Sequence, residues 1–172
     1  MNQTALKMLS DEHQNILKVI DALLKESQSL ESEKEINTGF FRKAINFIRG
    51  YADKFHHAKE EYILFVELNR EGVLTHCNPV QQMLYEHDLG RDFIKALEEG
   101  IEENDKEKTI QNATSYAQLL QDHIFKEDNI LYPMADEALS EDIKNEILEK
   151  FKQIEEDAIK DNEKHIIFLQ EL

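Results

Sequence analysis

The sequence predicts an all-α fold: an up-and-down antiparallel four-helix bundle with an additional C-terminal helix. Three observations carry this expectation. Apolar residues recur at spacings of three and four along almost the whole chain. Turn punctuation is scarce, with 5 Gly and 2 Pro in 172 residues, which favours a few long helices over many short strands. The length suits one compact core and is short for two. The expected organisation is a single domain over residues 1–172, with bundle helices in 4–138 and a C-terminal helix in 141–170.

The elements follow in order. Leu6, Leu9, His13, Ile16, Leu17, Ile20, Leu23 and Leu24 define one face of the first helix. The polar stretch Ser29–Gly39 reads as a turn. A second helix spans Phe40 to Glu71, its stripe formed by Phe41, Ala44, Ile45, Ile48, Ala52, Ile63 and Leu64, with Gly72 as its C′ residue. Asn78-Pro79 is a helix start, Asn as the cap and Pro at the first helical position. The third helix then runs to Glu99. A fourth spans Asp105 to Ala138, with a kink or early end expected at Pro133. Ser140 caps a fifth helix from Glu141 to Gln170.

Composition narrows the function. A formal net charge of −16 opposes binding to a phosphate backbone, so nucleic acid is not an expected partner. No stretch reaches the apolar length needed to span a bilayer. Met1 to Ser10 lacks the apolar run of a signal peptide. The single cysteine, Cys77, allows no intramolecular disulfide. The expected location is therefore cytoplasmic.

Four histidines interrupt apolar stripes, one on each bundle helix: His13, His56, His87 and His123. Burying imidazoles without partners costs roughly 1–3 kcal/mol each, a penalty that a shared metal ion removes. Glu60 and Glu127 lie four residues after His56 and His123, on the same helix face. Buried glutamate is rare unless paired or metal-bound.

The chain also repeats itself. HHAKEEYILF (His56–Phe65) aligns without gaps to HIFKEDNILY (His123–Tyr132), and Glu12-His13 upstream of the first matches Glu86-His87 upstream of the second. The order EH, HxxKE, EH, HxxKE gives two halves, each supplying two His and one Glu. Facing each other, they would form a pseudo-two-fold site of four imidazoles and two carboxylates, suited to two metal ions. The alignment selects His56 and Glu60 over the neighbouring pair His57 and Glu61, and Gly50, Asp53 and Lys54 place His57 on the outer face. Mixed imidazole and carboxylate ligation without thiolate suits iron, with manganese or zinc as other fits.

These motifs, from His13 to Pro133, resemble the hemerythrin-like family, also called the HHE cation-binding domain. The resemblance implies a non-haem di-iron centre, bridged by Glu60, Glu127 and an oxo or hydroxo group. It implies a small-molecule partner: dioxygen, nitric oxide or peroxide. The oxygen-carrying members place two His on the third helix, whereas here Met83 and Arg91 flank His87 at four residues either side. The resulting four-His, two-Glu set is more similar to the branch tied to iron–sulfur repair and nitrosative stress. The resemblance leaves binding and catalysis both open, and the C-terminal helix is free to cap the bundle or form a homodimer. His76 and His165 read as surface or supporting residues. For Tyr51, Tyr85 and Tyr116 packing is the expected role.

Overall fold

A computed structural model describes residues 3–32 and 35–172 of the chain. Five helices and no strand occur among these residues. We number them α1 (Ala5–Ser32), α2 (38–68), α3 (Val80–Glu102), α4 (106–138) and α5 (Glu141–Glu171). The fold class is the one the periodicity predicts. No helix among the described residues is long and apolar enough to cross a membrane.

The starts follow capping chemistry. Asn37, Asp105 and Ser140 side chains accept from the backbone N–H three residues on, opening α2, α4 and α5. The start of α3 falls one residue later than expected: Pro79 is the N-cap, without a side-chain cap hydrogen bond, and Val80 is the first helical residue, while Asn78 Oδ1 accepts from Val80 N at 3.0 Å. Other boundaries shift. Helix α1 extends through Ser32 and α2 begins at Thr38, so the expected turn over Ser29–Gly39 is shorter, with Glu33 and Lys34 outside the described residues. Helix α2 ends at Leu68, and Gly72, with φ of 83°, shapes the following turn rather than serving as the C′ residue.

Both long central helices contain π-helical stretches. In α2 these are Ile48–His57 and Glu60–Leu64, and in α4 Glu127–Leu131. Ala58, Phe65 and Tyr132 N–H groups donate to the carbonyls of Asp53, Glu60 and Glu127, five residues back. Such wide turns are uncommon and cluster at functional sites. The second and third occupy the same place in the two halves of the repeat. They also account for Pro133. It falls in the first turn of the α-helical segment Tyr132–Ala138, where a missing N–H is tolerated, and the helix continues through it.

The apolar side chains form two separate cores. One gathers Ile16, Ile20, Leu23, Phe41, Phe47, Ala52, Ile94, Leu97, Tyr116 and Leu120. The other gathers Met8, Leu9, Leu64, Phe65, Val80, Met83, Leu131, Ala135 and Phe151. Between them lies a buried polar layer containing His13, His56, His57, Glu60, His87, His123 and Glu127.

Helix α5 packs on α1 and α2. Its His165 is buried, not superficial, with its ring 5.7 Å from that of Phe47. Gly50, in the long π-helical stretch, makes this docking possible. A Cβ there would sit 2.3 Å from His165 Nε2. Gly50→Ala should therefore destabilise the protein by about 1–3 kcal/mol, although Ala is the better helix former. The double variant with His165→Ala should recover much of the loss. Chemical denaturation of the three variants checks this, and additive losses would show that the contact is not the cause.

Candidate metal centre

The polar layer is assembled from four helices. His13 comes from α1; His56, His57 and Glu60 from α2; His87 from α3; and His123 and Glu127 from α4. All six residues singled out by the sequence meet here. Together with His57 they form two groups whose potential donor atoms lie within 4.8 Å of one another: His57, Glu60, His87 and His123, and His13, His56, Glu60 and Glu127. Glu60 belongs to both.

His57 is the residue the sequence reading turned outward. It is 5% exposed, and its ring stacks on that of His87 at 3.8 Å between centroids. In a regular α-helix, adjacent residues point about 100° apart, and an inward His56 would carry His57 off the narrow interior face. The π-helical stretch Ile48–His57 takes about one extra residue per turn, so both imidazoles can enter the layer. At the position aligned with His57 the second half has Ile124. The layer thus holds five imidazoles and two carboxylates, not four and two.

The rest of the repeat orients these rings. Within each half, the Glu of the EH pair binds the His and Lys of HxxKE. Glu12 Oε2 lies 2.8 Å from His56 Nδ1, and Glu86 Oε2 lies 2.8 Å from His123 Nδ1. Lys59 and Lys126 donate to the second oxygens of Glu12 and Glu86. Between halves, the acid following HxxKE crosses over. Glu61 Oε1 is 2.7 Å from His87 Nδ1, and Asp128 Oδ1 is 3.0 Å from His13 Nδ1. Four rings are thereby engaged at Nδ1 by carboxylates, which fixes their orientation and leaves Nε2 for the interior. Arg91 binds Glu61 and Asp53, two acids beside the histidines.

The interior atoms fit a cation. His56 Nε2, Glu60 Oε2 and both carboxylate oxygens of Glu127 are buried without a hydrogen-bond partner. Such atoms cost roughly 1–3 kcal/mol each when left unpaired. His87 Nε2 faces His123 Nε2 at 3.0 Å. When both rings are neutral, with Nδ1 donating to a carboxylate, the two Nε2 lone pairs face each other there, and a proton on His123 or a cation between the rings removes the conflict. His87 and His123 are therefore placed to hold one cation together through these nitrogens. The carboxylates reach both groups. Glu60 Oε2 is 3.6 Å from His56 Nε2 and 3.6 Å from His87 Nε2. Glu127 Oε1 is 3.1 Å from His123 Nε2, and its Oε2 is 3.3 Å from His13 Nε2.

Proton affinities reflect the same crowding. Burial lowers His56 and His57 well below the ordinary imidazole range, aided by neighbouring imidazoles. For His13, burial acts downward but hydrogen bonding to Asp128 and the Glu127 carboxylate prevail, raising it to about 9. His123 is likewise raised to about 10, burial being overcome by Glu127 and Glu86. Burial and the like charge of Glu127 push Glu60 well above the usual carboxylate range.

Tyr132, the last residue of the second repeat, has a role the sequence reading did not assign. Its hydroxyl donates to Glu60 Oε1 at 2.6 Å, and its ring stacks on His13. The aligned Phe65 stacks on His87 but has no hydroxyl. That aromatic pair in the repeat was the available signal. Among the three tyrosines considered from sequence, Tyr51 accepts from Asn15, Tyr116 is buried and Tyr85 is exposed.

A sequence model of the hemerythrin HHE cation-binding domain matches residues 4–135, three bundle helices and nearly all of the fourth. No curated protein matches the chain at a significant level. The match covers most of the chain and every residue of the buried layer, so the chain belongs to the hemerythrin HHE cation-binding domain family.

Proposed function

We propose that the chain is a di-iron protein that binds or reacts with a small ligand: dioxygen, nitric oxide or peroxide. One ion would be held by His57, Glu60, His87 and His123, and the other by His13, His56, Glu60 and Glu127. The observation that carries this reading is the pair of buried donor groups sharing Glu60. Imidazole and carboxylate together suit iron. Bound ferrous ions would supply electrons and an open coordination position to the ligand. The protein's own part is to hold the donors. Glu12, Glu61, Glu86 and Asp128 orient the rings, Tyr132 fixes one oxygen of Glu60, and the two cores keep bulk water from the layer. The fifth imidazole, from His57, departs from the four-histidine pattern on which the likeness to the iron–sulfur repair branch rested. It adds one imidazole from α2, not from the third helix that supplies two in the oxygen-carrying members, so binding and catalysis both stay open.

Protein purified from iron-replete cells should contain about two iron ions per chain, one for each donor group. Exposure of the ferrous protein to air should give a charge-transfer band that disappears on deoxygenation. Simple irreversible oxidation would count against ligand binding. His57→Ile, which copies Ile124 of the other half, should reduce the iron content to about one per chain. Retention of the full content would remove His57 from the ligand set.

Metal removal should lower stability. A metal present at a hundredfold its dissociation constant contributes about 2.7 kcal/mol if it binds only the folded chain. Chelation should therefore lower the midpoint of thermal unfolding, and an unchanged midpoint would argue against interhelical ligation.

The raised His13 and His123 also predict a sign. Each must lose its proton to ligate a metal, and in the free protein each holds it up to about 9 and about 10. Metal binding at pH 7 should release protons, and apparent affinity should rise with pH over the range up to those values. Calorimetric titration in buffers of different ionisation enthalpy measures the release. Affinity that falls or stays flat between pH 6 and 8 would contradict it.

A further inference from the structure

Beside the metal centre lies a cavity of about 260 Å³ between α2, α3 and α4. His57, His87 and His123 line it, all from the first donor group, while His13 and His56 do not. Its apolar walls are Ile48, Gly90, Ile94, Tyr116 and Leu120, and the charged side chains of Arg49, Asp53, Lys54, Glu86 and Arg91 complete the lining. An ion bound at the first group would face a chamber whose exposed lining is mainly apolar, with charged groups among its lining residues. A diatomic needs far less space, since a cavity of roughly 150 Å³ already holds benzene. Gly90 keeps the chamber open. A Cβ there would lie 3.4 Å from Tyr116 Cε2 and 3.6 Å from Leu120 Cδ2, so any larger side chain must fill the space between these walls.

We propose that this cavity is a binding site for an apolar-bodied organic molecule with a single metal-binding head, seated on the His57, His87 and His123 side alone. Among the ligand classes proposed above, an organic hydroperoxide has that shape, with a polar O–O end and an apolar body. This inference rests on the reading of the polar layer as a metal centre. Hydrophobic walls with a few convergent polar donors are the usual make-up of small-molecule sites.

The test uses cobalt(II)-loaded protein, whose visible absorption bands respond to ligands without redox turnover. Azide serves as a small probe, and 4-phenylimidazole as a probe with an apolar body and one donor head. Both should shift the bands in the parent protein. Gly90→Leu should weaken 4-phenylimidazole by at least about tenfold while leaving azide within about threefold. Gly90→Ala, whose added methyl meets only ordinary or slightly tight contacts, should give a smaller loss in the same direction and keeps the test decisive if the leucine variant does not fold. Cobalt uptake and an azide response with no 4-phenylimidazole response in the parent would overturn this inference while leaving the metal centre standing. So would equal 4-phenylimidazole binding by the parent and by every folded Gly90 variant. Absence of cobalt uptake would overturn the metal reading and this one together.

Discussion

The structure depends on one kind of interaction: a carboxylate from one helix gripping the Nδ1 edge of an imidazole on another. Glu12 with His56, Glu86 with His123, Glu61 with His87 and Asp128 with His13 tie α1 to α2, α3 to α4, α2 to α3 and α1 to α4. Each pair neutralises a buried polar edge and turns the opposite nitrogen inward. Without these grips the layer would be a set of unsatisfied groups between two apolar cores, and the bundle would carry their desolvation cost. With them, the remaining cost is concentrated on a few inward atoms that one or two cations can satisfy.

The grips also explain why the repeat has the form it does. Glu of EH, Lys of HxxKE and the acid after it are all accounted for by these contacts, beyond the donors themselves. Lys59 illustrates how far burial goes: it is fully enclosed, its ammonium 3.9 Å from the centre of the Phe55 ring while it pairs with Glu12. Helix α5 covers this half, with Phe151 in the core and Glu155 near Lys59. The equivalent Lys126 is partly exposed. A nearly two-fold plan is thus completed asymmetrically, by α5 on one half, by His57 opposite Ile124, and by Tyr132 opposite Phe65.

That asymmetry has chemical consequences. One donor group is richer in imidazole and borders a cavity; the other is richer in carboxylate and includes His13 and Glu127, both fully buried. Two ions in such unlike surroundings would differ in charge balance and in access.

The sequence by itself determined the helical class, the order of the helices, and the inward placement of His13, His56, Glu60, His87, His123 and Glu127. It could do so because helical periodicity and an internal repeat are local patterns, readable along the chain. Tertiary structure alone decided the rest. His57 faces inward because a π-helical stretch shifts the register by about one residue, and that stretch exists where α5 docks its His165 on Gly50. Hydrogen bonding from Tyr132 to Glu60 spans 72 residues, and the chamber at Gly90 is bounded by three helices. No spacing rule applied to one helix encodes a turn of unusual width, a contact across the bundle, or the space left between helices.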